Sequence, residues 1–246
     1  MGHATAAGHA LRALTHLASR AEPIPAAHLA RALGLPRSST YHLLAVLIEH
    51  GYVVHYTEER TYGIGAAVHE LGAGYQRQDP LQRLARPLVE QLVDGTTHNA
   101  HLAVLSGRDV LYVIEERAAG RPSLVTDVGV RLPATVTASG LAMLAALPRR
   151  QVTALYPSAS VMVADGPSTP SALRRELVAV RARGYAMEEG SVSPGLSSVA
   201  SAVLDRDGHP LAAVAITYRS AEIDEPGRAR LVGAARHTAS RIGSRL

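Results

Sequence analysis

The 246-residue chain has no cysteine, no tryptophan and no phenylalanine, and every one of its 25 basic residues is arginine. Without cysteine there are no disulfides, no thiolate metal ligands and no cysteine nucleophile. Without lysine, the P-loop lysine, Schiff-base chemistry and the Ser-x-x-Lys nucleophile are excluded. No apolar run approaches the ~18 to 20 residues of a membrane span. The opening MGHATAAGHALRALTHLASR has no apolar centre of the signal-peptide kind, so a cytoplasmic protein that engages no membrane is expected. Charged residues make up only 19%, and the net charge of +4 is far from the dense positive field of a histone-like protein. A hydrophobic fraction of 47% suits a globular chain. At roughly 150 residues per domain, the length accommodates one small and one larger unit.

What is present is periodic. Leu11, Leu14, Leu17 and Ala18 recur at helical spacing over residues 8–20. Glu22-Pro23-Ile24-Pro25 breaks that helix, a second fits Ala26–Leu33, and Gly34 stops it. Pro36 opens a third helix that runs to His50, with Gly51 just beyond. Residues 52–64 read as two short strands around a polar turn at Thr57–Arg60. Three short helices and a hairpin predict a winged helix-turn-helix over residues 1–65, followed by a linker helix over 66–79.

Residues 80–246 read differently. Leu81, Leu84, Leu88 and Leu92 mark a helix in spite of Pro87. His101–Leu105 and Val110–Glu116 flank a turn, Ser123–Val128 reads as a strand and Ser139–Ala146 as a short helix. Ser168/Thr169 and Pro170 start a helix that Gly184 ends. A second hairpin turns at Asp205-Arg206-Asp207-Gly208, and the tail returns to helix with Leu231, Ala235, Thr238 and Ile242 on one face. The fold class is therefore α+β, with an antiparallel sheet and flanking helices in a sensor-like domain.

The third helix carries the most specific chemistry. At 100° per residue, Thr40, Tyr41, Leu47 and Ile48 fall within about 60° of Leu44 as a stripe for burial, while Ser38, Ser39 and His42 turn away. Small hydroxyls and one imidazole at the start of a helix, with Ala45 keeping the surface low, suit entry into a DNA major groove. Arg37 in the first turn and Arg60 at the hairpin tip are placed to meet phosphates. Bulk charge adds little, since residues 1–65 hold five arginines and four acids. Seven of the 12 histidines lie in this region, which becomes more basic as imidazole protonates.

Enzyme chemistry lacks its motifs. Ser139 and Ser193 do not sit in G-x-S-x-G, no H-E-x-x-H occurs, and no carboxylate cluster completes a metal site. His98 and His101 are three apart, which on a strand turns them to opposite faces. No catalytic residue, cofactor or metal is expected. A DNA-binding scaffold that senses nothing is the alternative to a sensor, and the length of the second domain exceeds what bare dimerisation needs.

Residues 33–47, LGLPRSSTYHLLAVL, with Glu49-His50-Gly51-Tyr52 and residues 60–65, RTYGIG, resemble the DNA-binding domain of the IclR family of bacterial transcription regulators. The resemblance continues through Leu84–Leu88, His101–Leu105, Gly129–Pro133, Val180–Tyr185 and Asp205–Gly208. It implies a winged helix, a linker helix and a GAF-like effector-binding domain. It also implies a homodimer or dimer of dimers on double-stranded DNA at a palindromic operator. On the DNA side it covers Arg37, Ser38, Ser39, Tyr41, His42 and Arg60, although the family often has arginine where this chain has His42.

By the same resemblance, an organic acid or aromatic metabolite binds at one face of the effector-domain sheet. The matching positions are Ala138, Ser139 and Gly140 opening a short helix, then Glu188, Ser198, Ala215 and Thr217. Ser198 replaces a frequent cysteine and keeps a small donor. Ala215 lacks a hydroxyl that related proteins carry, a loss of about 0.5–1.5 kcal/mol per hydrogen bond. That favours a larger, less polar effector over a small dicarboxylate.

Overall fold

Proline and glycine set the helix ends in the first of two units, Met1–Asp79 and Pro80–Leu246. The computed structural model describes residues 6–78, 80–121, 126–163 and 165–246. Helix α1 (Ala6–Ala18) is followed by α2 (Ala26–Leu33), which Gly34 ends in the left-handed region at φ 67°. Helix α3 (Arg37–Glu49) starts directly after Pro36, and Gly51 turns the chain out at φ 73°. Strands β2 (Val53–Tyr56) and β3 (Thr61–Ile64) form the expected hairpin, with Tyr56 opposite Thr61.

The stretch read as a mere helix break supplies a third strand. Strand β1 (Ile24–Pro25) pairs with the far side of β3, placing Ile24 opposite Tyr62. It lies at the edge of the sheet, where a proline without an N–H is tolerated. Leu17, Leu29, Leu33, Leu44, Leu47 and Tyr62 meet in one core beneath these elements. Helix α4 (Ala66–Gln78) ends the unit.

The buried stripe of α3 departs from expectation. Thr40, Leu44 and Leu47 are buried and Leu43 half-buried, but Tyr41 is 55% and Ile48 38% exposed. The packed side is thus centred about 50° from Leu44 towards Leu43, which carries Tyr41 and Ile48 outwards. Helices α1 and α2 and strand β2 share that core with α3, and periodicity alone does not show where they cover it.

In the second unit, α5 (Pro80–Thr96) precedes strands β4 (Asn99–Ser106), β5 (Asp109–Glu116) and β6 (Arg131–Pro133). Helices α6 (Ala138–Ala146), α7 (Arg149–Leu155) and α8 (Pro170–Arg183) follow. Strands β7 (Ala186–Glu189), β8 (Leu196–Leu204) and β9 (Pro210–Arg219) and helix α9 (Glu225–Gly243) complete it. The strands form one antiparallel sheet in the order β6-β5-β4-β9-β8-β7. Leu88, Leu92, Leu231 and Ile242 of α5 and α9 pack on one face. Met143, Leu144, Leu173 and Leu177 of α6 and α8 pack on the other. The Thr169 hydroxyl caps α8 by accepting from the Ala172 N–H at 3.1 Å.

Of the strand expected at Ser123–Val128, residues 123–125 lie outside the described residues, and Thr126 and Asp127 take no regular structure. Strands β6 and β7 and helix α7 were not anticipated. At three, four and seven residues they are too short to display a period.

Candidate DNA interface and effector cavity

On the first unit, no side chain caps α3, whose ladder begins with the Thr40 N–H donating to the Pro36 carbonyl at 3.0 Å. The N–H groups of Arg37, Ser38 and Ser39 precede that ladder at the positive end of the helix. Arg37, Ser38, Ser39, Tyr41 and His42 all stand exposed. Arg60 is exposed at the hairpin tip, held at φ 54°. The six residues expected on the DNA side thus share the solvent side of α3 or the tip of the wing. Val46 (51% exposed) and, on β2, Val54 and Tyr56 are further exposed apolar groups that the sequence reading did not single out. For Val46, a β-branched residue left outside the helix's packed face was the available signal.

On the second unit, a cavity opens between the sheet and the first turn of α6. Ala138, Ser139, Glu188, Ser198, Ala215 and Thr217 line it, together with His101, Tyr112, Thr126, Thr137, Val192, Ser193 and Leu196. Nine of these thirteen carry a hydroxyl, an imidazole or a carboxyl, and none is arginine. The wall is more polar than the Ala215 substitution alone suggested. The volume open to the centre of a water-sized sphere is about 20 Å³.

Gly140 takes a different part from the one expected. It does not line the cavity. Its N–H donates to the Thr137 hydroxyl at 3.0 Å, and the Leu141 N–H takes the Thr137 carbonyl. That leaves the Ala138 and Ser139 N–H groups ahead of the α6 ladder. A Cβ on Gly140 would lie 2.1 Å from the Ala134 carbonyl oxygen. The glycine is what lets α6 approach that backbone.

Three strands present a continuous polar row to the cavity. Register sets Glu188 opposite Ser198 and Ser198 opposite Thr217. The Ser198 hydroxyl donates to Glu188 Oε1 at 2.8 Å and lies 3.0 Å from Thr217 Oγ1. With its one proton given to the carboxylate, Ser198 accepts from Thr217. The Ser191 N–H donates to Glu188 Oε2 at 3.1 Å. Burial raises the Glu188 carboxyl above its ordinary value, opposed by these hydrogen bonds.

Tyr112 was missed because its placement depends on a bulge, whereas His101 follows the plain alternation of β4, on the face opposite to Ala100 and Leu102. Leu102 faces Ile114, but Ala103 faces Tyr112, leaving Val113 as an extra residue in β5. The bulge reverses the alternation, so Ile114 packs on the α5–α9 face while Tyr112 turns to the α6 face. There the Tyr112 ring meets the His101 ring edge-on at 5.6 Å. His101 Nε2 lies 2.8 Å from Thr126 Oγ1. Burial, with a smaller effect from Arg117, lowers the His101 imidazole to about 4. His98 does point the opposite way, edge-on to Tyr218 at 6.2 Å.

Residues 73–244 match the family model described as bacterial transcriptional regulator IclR C-terminal, and residues 6–55 match the IclR helix-turn-helix domain. The chain belongs to the IclR family. Over 217 residues, 84% of this chain and 77% of the relative, it is 25% identical to the transcriptional repressor IclR of Escherichia coli K12. The crystal structure of an IclR-type regulator from Alicyclobacillus acidocaldarius resembles it with a TM-score of 0.85, at 23% identity over 97% of each chain. An IclR homologue from Microbacterium hydrocarbonoxydans, crystallised with 4-hydroxybenzoate, gives a TM-score of 0.80 at 21% identity over 98% of each chain. The helix-turn-helix of this IclR-family chain is a DNA-binding domain and its second unit an effector domain, so it is a transcriptional regulator and not an enzyme. No described helix is long and apolar enough to cross a membrane.

Two stability effects follow from the cavity wall. His101 titrates near 6.5 in the unfolded chain and near 4 when folded, so between those values only the unfolded state takes the proton. That stabilisation is complete above about pH 6.5 and is lost as pH falls towards 4, by about 3 kcal/mol in all. Denaturant melts of His101→Gln between about pH 7 and 5 should show a shallower decline than the parent, and equal slopes would contradict the assignment. Gly140→Ala should cost about 2–3 kcal/mol by denaturant midpoint, because the obstructing atoms are backbone. A loss below about 0.5 kcal/mol would mean that α6 is free to shift.

Proposed function

We propose that this chain acts in the cytoplasm, binds a palindromic operator as a homodimer, and changes its operator affinity when a hydroxylated organic acid occupies the cavity. The observation that carries the effector class is the unequal chemistry of the cavity's two walls. The α6 wall offers the Ala138 and Ser139 N–H groups at the positive end of a helix dipole, favourable to a carboxylate. The sheet wall ends its relay from Thr217 through Ser198 in the Glu188 carboxylate, which repels an anion and accepts from a hydroxyl. With no arginine in the lining, the acid's charge is met by N–H and O–H groups alone. The 4-hydroxybenzoate of the Microbacterium homologue has one carboxylate and one hydroxyl at opposite ends of a ring.

A cavity of about 20 Å³ lies well below the ~300–1000 Å³ of drug-sized sites, so an aromatic acid must part its walls. Binding of that kind favours one arrangement of the domain over another, and the effector shifts operator affinity by its differential affinity for the two. On the DNA side, Ser38, Ser39, Tyr41 and His42 meet base edges while Arg37 and Arg60 meet phosphates. Two recognition helices must then match half-sites about one helical turn apart, or a multiple of it.

Calorimetry with 4-hydroxybenzoate and benzoate tests the effector class. The hydroxy acid should bind about tenfold more tightly, the worth of a hydrogen bond to a charged acceptor, and Glu188→Gln should erase most of that preference. No heat with either acid, or an undiminished preference in Glu188→Gln, would contradict it. For the DNA face, His42→Ala should reduce discrimination among operator variants more than non-specific binding. Arg37→Ala should weaken all sequences alike and flatten the salt dependence by about one phosphate contact. Equal losses for His42→Ala, or an unchanged slope for Arg37→Ala, would count against those roles.

A further inference from the structure

Helices α7 and α8 of the second unit enclose a groove of about 590 Å³ that the effector cavity does not include. Its walls carry Arg149 from α7 and Arg174, Arg175 and Arg181 from α8, and no acid lines it. Six other arginines of this unit, Arg86, Arg117, Arg121, Arg183, Arg219 and Arg228, each pair with a carboxylate, while several more, such as Arg108, Arg206 and Arg236, show no ion pair among the described residues. Among the described residues the four groove arginines have no such partner. Glu176, the acid next to Arg175 in sequence, is already held by Arg183 at 3.0 Å. Two of the four are positioned by neutral groups instead. Arg174 donates to the Ser171 hydroxyl at 2.8 Å, and Arg181 Nε donates to the Ala145 carbonyl at 2.6 Å.

The groove also has an apolar centre. Val178 stands 61% exposed between the arginines, above buried Val152 and Leu177. Residues 171, 174, 175, 178 and 181 repeat at three- and four-residue spacing along one side of α8. That side is about 15 Å long, the length of about three helical turns. No aromatic ring is present on which a base could stack, which disfavours nucleic acid and nucleotides.

We propose that this groove docks an acidic amphipathic helix of a partner protein, with its carboxylates on the four arginines and an apolar side chain over Val178. Charge complementarity and the exposed valine select that occupant. A contact carried by exposed arginines around one apolar side chain is transient and salt-sensitive rather than permanent. A regulator seated on an operator would thereby present a basic docking face to other proteins on the same DNA.

The test uses the full chain and a labelled helical peptide of about 16 residues, with glutamates flanking a leucine stripe, read by fluorescence anisotropy. The peptide should bind, and a copy with glutamine for glutamate should not. Exposed Arg149 and Arg175 allow the reversal Arg149→Glu/Arg175→Glu without disturbing the core, and it should weaken binding at least ~10-fold. Val178→Ser should weaken it about threefold through lost apolar contact, separating an amphipathic helix from any polyanion. Failure of the parent chain to bind the peptide, or unchanged binding by the charge-reversed chain, would overturn the proposal. Displacement of the peptide by an unrelated DNA duplex would reassign the groove to nucleic acid and overturn it too. A change in sedimenting mass in the charge-reversed chain would reassign it to a contact between copies, with the same effect.

Discussion

The closeness of α6 to its neighbouring backbone is the constraint on which the second unit depends. Gly140 permits a backbone approach that any Cβ would obstruct at 2.1 Å. Ala138, Ala142, Ala145, Ala200, Ala213 and Ala215 are buried in the same cluster, so small side chains line both helix and sheet. A chain without phenylalanine or tryptophan can bring the two layers close. The cavity that remains lies at the end where α6 begins, where its N–H groups precede the helix ladder. We propose that recognition in such a site comes from backbone and hydroxyl donors set by packing, not from a buried cation.

The sheet assigns its two faces to different tasks. Large aliphatic residues against α5 and α9 supply one core, while the α6 face gives up part of its apolar area to His101, Glu188, Ser198 and Thr217. The polar groups there are hydrogen-bonded to one another, which keeps the desolvation cost of their burial from being borne unpaired. The DNA-binding unit follows a different logic. Its nearly balanced charge gives little long-range attraction, so in the proposed reading its affinity rests on the uncapped start of α3 and the groups beside it.

Much of this was legible in the residues. Helix ends at Gly34 and Gly184 were readable because a left-handed residue there leaves glycine little competition. The hairpins at Thr57–Arg60 and Asp205–Gly208 announced themselves by polar turns between alternating runs. Tyr41 and Ile48 were misplaced because a stripe's centre depends on which neighbouring helix covers it. Strand β1 was hidden by its proline, and the packing role of Gly140 depends on its approach to the Ala134 backbone, which no local pattern shows. Tyr112 was illegible for a subtler reason. The bulge at Val113 exists only in the pairing of β4 with β5, and one unpaired residue exchanges the faces of everything before it.

The central claim is that a ligand in the α6 cavity changes what α3 does on DNA. The direct measurement is a retardation titration of the full chain on the DNA upstream of its own gene, with and without saturating 4-hydroxybenzoate. The account predicts tight, salt-sensitive retention whose midpoint moves by at least several-fold when the acid is bound. An unmoved midpoint, at acid concentrations that calorimetry shows to fill the site, would contradict it.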